Sequence, residues 1–338
     1  MPNAVLILTS RDDLHADIVA RKIESRGGSP FRIDLDDFPA GFDVAVELDG
    51  ACWRGALTRA GSGDRLAVSD IGAVWMRKKA DFRFRSADLA PQERAFASAE
   101  AEHILFSLIY SLDCYWMSHP LAVRGALWKG EQLQRAARLG FAVPPSLITN
   151  RAAAAVAFGR DAAHGLAFKA LSSSLLAADS VASDDRIAGP IATTRLEARD
   201  EAELEGVAEL PCFFQHYVPK RHELRVTVIG ERAFCARIHS QDDPRTATDY
   251  RDFSAEILYE AATLPAEVER RCVAFVRSYG LTYGAIDLIV TPAGEYVFLE
   301  NNPVGQFLFV EELVPALDMT GALADCLVAG AARRGACG

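Results

Sequence analysis

The sequence predicts an α/β (α+β) protein with more than one domain. Three observations lead to this prediction. A strand–helix–strand pattern opens the chain over residues 4–35, a long helical pattern covers residues 91–112, and two short alternating strands form a hairpin over residues 283–303. A chain of 338 residues is also long enough for two or three domains, each with a core of its own.

The composition and the charge exclude several classes of protein. Half of the residues are hydrophobic and 24% are charged, which is typical of a globular protein. A formal charge of −10 and the lack of any membrane-length apolar run predict neither a nucleic-acid partner nor a membrane partner. The first residues do not have the pattern of a signal peptide, so we expect a cytoplasmic protein. The seven cysteines include no C-x-x-C pair and have an odd count, which indicates neither a zinc site nor a disulfide framework. The oligomeric state stays open, with a homodimer as one expectation.

The first segment has the pattern of a β-α-β unit. Residues 4–9 form a compact apolar run that predicts a buried strand, and residues 13–26 have helical spacing that ends at Gly27 and Gly28. Residues 31–35 alternate as a second strand. The unit contains neither a G-x-G-x-x-G motif nor a Walker A motif, which argues against nucleotide binding by this segment.

A cationic cluster follows later in the same region. Strands are predicted over residues 43–48 and 73–77, and the second runs into Trp-Met-Arg-Lys-Lys at residues 75–79. One interpretation of this cluster is a site for an acidic peptide or a phosphate. The other, which residue chemistry alone favours, is the end of a strand with a solvated, charged face.

Two lysines in the middle of the chain are candidates for phosphate binding. Lys129 lies within a helix predicted over residues 121–139, where a solvated lysine is the commoner explanation. Lys169 lies in an otherwise apolar strand predicted over residues 166–171, and a buried ammonium group needs a partner. The three serines at residues 172–174 follow that strand and offer hydroxyl and backbone N–H groups to an anion.

The remaining predicted elements are short strands and helices. The strands are expected at residues 146–149, 179–196, 212–218, 225–229 and 233–240, and the helices at residues 152–158, 265–279 and 319–332.

The hairpin at residues 283–303 carries the main indication of chemistry. If Ala293 and Gly294 form a two-residue loop, Asp287 and Glu300 lie directly opposite each other, where two carboxylates repel. Asn302 follows on the same face, and two carboxylates with an amide oxygen indicate Mg²⁺ brought in with a phosphate substrate. The alternative is a solvated hairpin face with accidental acids. Against it, the opposite face is predicted to be buried by its apolar residues, Ile286, Leu288, Val297 and Leu299.

Several separated motifs form one series. They are Lys129, Lys169, Phe-Gln-His-Tyr-Val at 214–218, Glu-Leu-Arg at 223–225, Asp287 and Glu-Asn-Asn-Pro at 300–303. This series resembles the ATP-grasp superfamily of carboxylate–amine and carboxylate–alcohol ligases. The stretches 75–78, 132–144, 214–240 and 283–309 further resemble the ligases that macrocyclise ribosomal peptides of the microviridin type, the graspetides.

The resemblance implies an ATP-grasp fold with an N-terminal α/β pre-ATP-grasp domain. The implied division is a pre-ATP-grasp domain at residues 1–118, a central subdomain at 119–210 and a C-terminal subdomain with the Mg/ATP site at 211–338. The family's phosphate-covering loop often contains glycine, whereas this chain has serines at residues 172–174. A further departure is Asn301, in a position that is more often aliphatic in the family.

The resemblance also implies roles for individual residues. Lys129 and Lys169 approach the phosphates of ATP, and Glu223 lies near the ribose. Arg225 contacts the phosphates or the acyl-phosphate, and Lys169 and Arg225 are the expected catalytic groups. Adenine lies against a hinge formed by Gln215, His216, Tyr217 and Val218. The implied ligands of Mg²⁺ are Asp287, Glu300 and Asn302.

The expected activity is an ATP-dependent ligation with ATP and Mg²⁺ as cofactors. If the closer resemblance holds, Asp or Glu side chains of a precursor peptide, with a leader and an acidic, Thr-rich core, are joined to Ser or Thr hydroxyls or Lys amines. One alternative is a ligase for free amino acids or short peptides, of the glutathione-synthesis or ribosomal-protein-modifying kind. The other is a non-catalytic ATP-binding scaffold.

Overall fold

The structure, a computed structural model, describes residues 4–78, 80–172, 193–196, 204, 206–252 and 254–333. Its α-helices are α1 (Leu14–Ser25), α2 (Pro91–Tyr110), α3 (Pro120–Gly125), α4 (Lys129–Arg138), α5 (Ala152–Arg160), α6 (Ala266–Ser278), α7 (Leu308–Leu313) and α8 (Met319–Ala332). Its β-strands are β1 (Ala4–Thr9), β2 (Ser29–Asp34), β3 (Phe42–Asp49), β4 (Cys52–Arg59), β5 (Arg65–Ala67), β6 (Ile71–Met76), β7 (Tyr115–Trp116), β8 (Ser146–Thr149), β9 (Leu166–Lys169), β10 (Thr194–Leu196), β11 (Cys212–His216), β12 (His222–Ile229), β13 (Arg232–Ile238), β14 (Tyr259–Ala261), β15 (Tyr283–Val290) and β16 (Tyr296–Asn302).

The mixed α/β class and the β-α-β opening are confirmed. A parallel sheet in the order β2-β1-β6-β7 forms the first layer. Alternate side chains of β1 enter two cores: Val5 and Ile7 pack with residues of α1 and α8, and Leu6 and Leu8 pack with residues of α2. The C-terminal helix α8 thus covers a face of the N-terminal sheet. Because both faces are covered, β1 is fully buried, which explains its continuous apolar sequence.

A second, three-stranded sheet has the order β3-β4-β5. The sequence predicts a strand over residues 43–48 but not β4, whose burial does not alternate. Gly55 of β4 has a φ of 115°, and a Cβ there would lie 2.1 Å from the carbonyl oxygen of Ala45 on β3. Only glycine permits this close approach.

A third sheet has the order β10-β9-β11-β8, and its strands are antiparallel. β11 pairs with β8 and β9 of this central sheet, although the expected division assigns residues 211–338 to the C-terminal subdomain. β10 accounts for the end of the region where short strands are expected, and residues 179–192 lie outside the described residues. Ser173 and Ser174 and Lys79 also lie outside them.

The largest sheet has the order β14-β13-β12-β15-β16 and carries the predicted hairpin as its last two strands. One face packs against α6 in a core that includes Ile286, Leu288 and the buried Cys235 and Cys272. The other face carries the polar residues described below.

The helix predicted over residues 121–139 is interrupted, and this part of the prediction is wrong. α3 ends at Gly125 and α4 begins at Lys129, so Lys129 stands at the start of a helix rather than within one. The side chain of Gln132 donates to the carbonyl of Ala126, 2.6 Å away, which satisfies a backbone group freed by the break. In the part of the chain that the structure describes, no helix combines the length and the apolar character needed to cross a bilayer.

Candidate active site

The hairpin of β15 and β16 brings Asp287 opposite Glu300, and this prediction is confirmed. The predicted two-residue loop is wrong, because the loop contains three residues. The N–H of Thr291 donates to the carbonyl of Glu295, 3.0 Å away, and Gly294 between them has a φ of 86°. Glycine adopts that left-handed conformation at no steric cost. Near the loop, the pairing is therefore one residue away from the predicted register.

A bulge at Leu299 restores the predicted pairing. Leu288 pairs with Phe298, while the neighbouring Asp287 pairs with Glu300, so Leu299 is an extra residue on β16. The prediction that Leu299 lies on the buried face is wrong. Phe298 fills the core instead, and Leu299 is half-buried and lines the cleft beside Glu300. Strict alternation fails here because an extra residue moves the following side chains to the other face.

Lys129 and Lys169 bring positive charge to Glu300 from distant parts of the chain. Lys129 Nζ lies 3.0 Å from Glu300 Oε2 and donates to the carbonyl of Ala170, 3.3 Å away. Lys169, at the end of β9, lines the same cleft. Burial by itself would raise the pKa of Glu300, but the charges of the two lysines outweigh it and lower the pKa. Glu300 is therefore an ionised carboxylate.

The ammonium group of Lys169 faces acids, which explains a lysine in an apolar strand. Burial lowers the pKa of Lys169, and the charges of Glu300 and Glu223 oppose that shift. Two further cations, Lys220 and Lys129, add to the lowering. The cleft thus concentrates positive charge at one end, where a polyphosphate is the matching ligand.

Arg225 of β12 binds Asp287 on the polar face of the sheet. Arg225 Nη1 donates to both carboxylate oxygens of Asp287, at 2.8 and 3.0 Å, and Nη2 donates to the carbonyl of Gln306, 3.2 Å away. Tyr250 approaches Asp287 with its hydroxyl at 3.5 Å. Burial raises the pKa of Asp287 and the charge of Glu300 adds to the rise, while Arg225 opposes it. A divalent cation bound between Asp287 and Glu300 would relieve the repulsion between the two carboxylates.

Asp287 and Glu300 fit a magnesium ion, and Asn302 is less well placed. The two carboxylates line one cleft and supply hard oxygen ligands. Asn302 is exposed, its Oδ1 accepts from the N–H of Val304 at 3.1 Å, and it is not among the described residues that line the cleft. An amide oxygen has a second lone pair, so this bond leaves one site on the oxygen for a metal. Among the described residues, no group of three or more His, Cys, Asp or Glu side chains is arranged to hold a metal.

Gln132 fixes the strand that carries these ligands. Its Nε2 donates to the carbonyl of Asn301 and its Oε1 accepts from the N–H of Asn301, both at 2.8 Å. The side chain of Asn301 is buried beside Gly284, where a Cβ would lie 2.5 Å from Asn301 Oδ1. The departure from an aliphatic residue at Asn301 thus falls on the face away from the cleft.

The expected hinge lines a second part of the cleft. Gln215, His216, Tyr217 and Val218 surround a cavity of about 370 Å³, which shares Lys169 and Leu299 with the part around Glu300. Gln215 is itself buried and donates to Ser146 Oγ at 3.1 Å, so it is oriented by β8. His216 packs on Phe158 with ring centroids 4.4 Å apart.

The adjoining part of the cleft measures about 630 Å³ and contains Glu223. Lys220 Nζ lies 2.6 Å from Glu223 Oε1 and donates to the carbonyl of Thr248 at 3.0 Å. Burial raises the pKa of Glu223, and the charge of Lys220 opposes that rise. Lys220 was not among the predicted site residues, although the charged run Lys-Arg-His-Glu-Leu-Arg at 220–225 was a signal that could have identified it.

A loop between β13 and β14 closes one side of the cleft, and sequence reasoning missed it. Thr248, Asp249, Tyr250 and Arg251 line the cleft. Arg251 donates to both carboxylate oxygens of Asp249, at 2.8 and 2.6 Å, and the N–H of Thr193 also donates to Asp249 at 3.3 Å. These residues have no periodic pattern, so only the fold identifies them as part of the site.

The cleft therefore joins a pocket beside β11 to a charged end that holds both cations and acids. Lys129 contacts Glu300 and Arg225 contacts Asp287, the two carboxylates that face each other, while Lys169 and Lys220 line the same cleft. Such an arrangement can hold a polyphosphate with a divalent cation and can stabilise charge on a phosphoryl group in transfer.

Comparison with known proteins gives a consistent result. The family described as the MvdD pre-ATP grasp domain matches residues 4–124. Macrocyclase MdnC from Microcystis aeruginosa MRC, solved with its precursor peptide MdnA, is 31% identical, with 96% of this chain and 99% of that chain covered and a TM-score of 0.81. An ATP-grasp ligase associated with ribosomal peptides in Chryseobacterium gregarium, solved with ADP and a leader and core peptide, is 26% identical, with 96% of each chain covered and a TM-score of 0.85. Macrocyclase MdnB from the same Microcystis strain is 29% identical, with 97% and 99% covered and a TM-score of 0.74. Comparison with curated proteins finds no match.

Proposed function

Because the chain belongs to the family of ATP-grasp ligases that macrocyclise ribosomal precursor peptides, we propose that it cyclises such a peptide with ATP and Mg²⁺. Its substrates are Asp or Glu side-chain carboxylates of the peptide, and its products are esters with Ser or Thr hydroxyls or amides with Lys amines. The partner is a precursor peptide with a leader and an acidic core.

The chemistry requires activation of a poor electrophile. A carboxylate oxygen attacks the γ-phosphorus of ATP, the bond to ADP breaks, and an acyl-phosphate forms. The hydroxyl or amine then attacks the acyl carbon and loses its proton, and inorganic phosphate leaves. Each ring removes one water from the peptide overall and converts one ATP to ADP and phosphate.

The residues of the cleft match these requirements. Lys129 and Lys169 line the cleft and bind the phosphates in this proposal, and Arg225, which is bonded to Asp287, stabilises the phosphoryl group and the acyl-phosphate. The pocket of Gln215, His216, Tyr217 and Val218 accommodates adenine, with Glu223 toward the ribose and phosphate end.

Asp287, Glu300 and Asn302 are the residues that would hold Mg²⁺, which supplies charge neutralisation for the phosphates. Asn302 needs a rotation of its side chain to share its oxygen. The observation that carries the proposal is the direct opposition of Asp287 and Glu300 within reach of cations from separate segments.

The test is a turnover assay with a candidate precursor peptide. We expect release of ADP and, by mass spectrometry, loss of one water per bond formed. Release of ADP with small acids and amines but not with any precursor peptide would instead support a ligase for free amino acids or short peptides. Binding of ATP without ADP release on any substrate would support a non-catalytic scaffold.

We also propose a division into three units and a cytoplasmic location. The pre-ATP-grasp domain spans residues 1–118 and packs against α8, the central subdomain begins at residue 119, and the C-terminal subdomain begins after β11, because β11 pairs within the central sheet. A cytoplasmic location supplies ATP and precursor peptide. Limited proteolysis and cell fractionation test these two points.

A further inference from the structure

A second cavity lies between the N-terminal sheet and the segment that follows β16. It is a small cavity, distinct from the nucleotide cleft, with which it shares no lining residue among those described. Trp75 and Met117 line it from the first domain, and Tyr283, Gly305 and Phe307 line it from the last. None of the residues that line this cavity has a role in the ligation proposed above.

Arg77 is the charged residue of this cavity. Its side chain is only 7% exposed, although the sequence favours a solvated strand end here. Its Nε and Nη2 are buried and have no hydrogen-bond acceptor among the described residues. These two nitrogens belong to the same edge of the guanidinium plane, the edge that binds a carboxylate with two parallel hydrogen bonds. A buried donor edge without acceptors is costly unless a ligand satisfies it.

Asp13 is the carboxylate nearest to that edge, but it does not form a hydrogen bond with it. The closest approach between them is 4.0 Å, from Arg77 Nε to Asp13 Oδ2, which is too long for a hydrogen bond. Asp13 is fully buried, accepts from Thr9 Oγ1 at 2.5 Å and also lies 3.6 Å from Lys78 Nζ. One carboxylate therefore faces two cations, so the charge of Asp13 is shared between Arg77 and Lys78.

The cavity borders the centre where the phosphoryl group is transferred. Tyr283 donates from its hydroxyl to the carbonyl of Gly305 at 2.6 Å, and a Cβ on Gly305 would lie 3.0 Å from Arg225 Nη2. Burial raises the pKa of Tyr283 to about 12, and the charges of Arg225 and Arg77 both oppose the rise. Gly305 therefore lies between the cavity that Arg77 lines and the guanidinium group of Arg225.

We propose that this cavity, the Arg77 pocket, binds the carboxylate of an acidic side chain in the peptide segment that is being cyclised. The proposal rests on the proposed function and deepens it, because it assigns substrate recognition to a residue of the N-terminal domain. The planar donor edge matches a planar carboxylate, and the apolar walls of Trp75 and Phe307 match the methylene groups of Asp or Glu. Arg77 is thus a specificity-determining residue.

The first test needs no peptide and is independent of the proposed function. In protein labelled with ¹⁵N-arginine, the Nε–H signal of Arg77 is assigned by its loss in Arg77→Lys, and the wild type is titrated with glutarate, a free analogue of the Glu side chain. We expect a saturable shift of this signal with glutarate and none with the neutral glutaramide. No shift with glutarate, or an equal shift with glutaramide, would overturn the proposal. A stronger response to inorganic phosphate than to glutarate would overturn it as well.

The second test asks whether the loss of binding caused by a change in the peptide depends on Arg77 of the enzyme. Replacing the acidic residues of the core peptide with Gln should weaken binding to the wild-type enzyme on the order of tenfold to a hundredfold in the presence of a non-hydrolysable ATP analogue. The same replacement in the peptide should weaken binding to the Arg77→Lys enzyme much less, because the single ammonium group of lysine cannot make the bidentate contact. Equal losses in both enzymes would contradict the proposal.

A matched control is Arg83→Lys, since Arg83 also pairs with an aspartate in the first domain but is 57% exposed. It should behave as wild type. Arg77→Lys should retain the wild-type affinity for Mg·ATP, which separates loss of peptide recognition from loss of the fold. If no peptide undergoes ATP-dependent cyclisation, the proposed function fails while the glutarate result still decides the Arg77 pocket.

Discussion

Asp287 and Glu300 lie directly opposite each other on β15 and β16, and each carboxylate is held by a different cation. Arg225 contacts Asp287 at 2.8 Å, and Lys129 contacts Glu300 at 3.0 Å. Arg225 lies on β12 of the same sheet, whereas Lys129 begins α4, so Glu300 gains its cation only when α4 packs against β16. The arrangement keeps two repelling acids ready for a divalent cation.

Removing either acid should abolish turnover. Glu300→Gln and Asp287→Asn each retain the shape of the side chain but remove a charged ligand, so we expect kcat to fall at least about a hundredfold. Circular dichroism should show an intact fold. Glu295→Gln, at an exposed position of the same hairpin, is the control and should remain active. Full activity in Glu300→Gln would remove Glu300 from the metal site.

Removal of divalent cations should stop ADP formation by the wild type, and added Mg²⁺ should restore it. Calorimetry of ATP binding should show a strong dependence on Mg²⁺ in the wild type and a weaker one in Asp287→Asn. The reason is that the metal links the carboxylate to the phosphates. Nucleotide binding that is equally tight with and without Mg²⁺ in the wild type would contradict the assigned role.

Replacing Gln132 should loosen the strand that carries Glu300. Gln132→Ala leaves the buried N–H and carbonyl of Asn301 without their partners. We expect a loss of about 2–4 kcal/mol in the free energy of unfolding, measured by chemical denaturation. The KM for Mg·ATP should rise as well. Gln134→Ala, on the exposed side of the same helix, should change neither quantity.

The affinity for ATP should fall as pH rises because Lys169 loses its proton. Burial lowers the pKa of Lys169 below its usual 10.5, against the pull of Glu300 and Glu223, and only the protonated ammonium attracts phosphate. Affinity should therefore be highest below this lowered pKa and should decline as pH rises through it. In Lys169→Arg the positive charge persists, so the affinity for ATP should no longer decline as pH rises through the pKa of Lys169. An unchanged pH profile in Lys169→Arg would show that another group titrates.

Asp249 should stabilise the folded protein in a pH-dependent way. Burial opposes the shift, but the bonds from Arg251 lower the pKa of Asp249 to about 2, from a usual 3.8. Between these values the unfolded chain binds more protons, so the stabilisation is complete well above 3.8 and is lost as pH falls through about 2. Because Arg251 is 43% exposed, we expect Asp249→Asn to cost only about 1 kcal/mol at neutral pH.

Thermal unfolding of Asp249→Asn and wild type at a series of pH values measures this contribution. The difference in Tm should shrink as pH falls below 4. Asp242→Asn is the matched control, since Asp242 lies on the same loop with its side chain 68% exposed. A difference in Tm that stays constant over the whole range would contradict the electrostatic origin.

The pairing of the two acids could be predicted for a reason that was only partly correct. The sequence indicates a hairpin with Asp287 opposite Glu300, yet the actual loop is one residue longer and the bulge at Leu299 compensates for it. Alternation and turn residues locate a hairpin well. They do not reveal the bulge, which leaves Phe298 in the core and Leu299 at the cleft.

The α/β class, the β-α-β opening and the charged residues on strands were predictable from the sequence, because hydrophobic periodicity is a local property of the chain. The three-dimensional fold was needed to show that α8 covers the N-terminal sheet, that the loop at residues 248–251 closes the cleft, and that Arg77 is buried in the cavity lined by Tyr283 and Gly305. These contacts join segments far apart in the chain, and their free energy depends on packing and desolvation that no local pattern records.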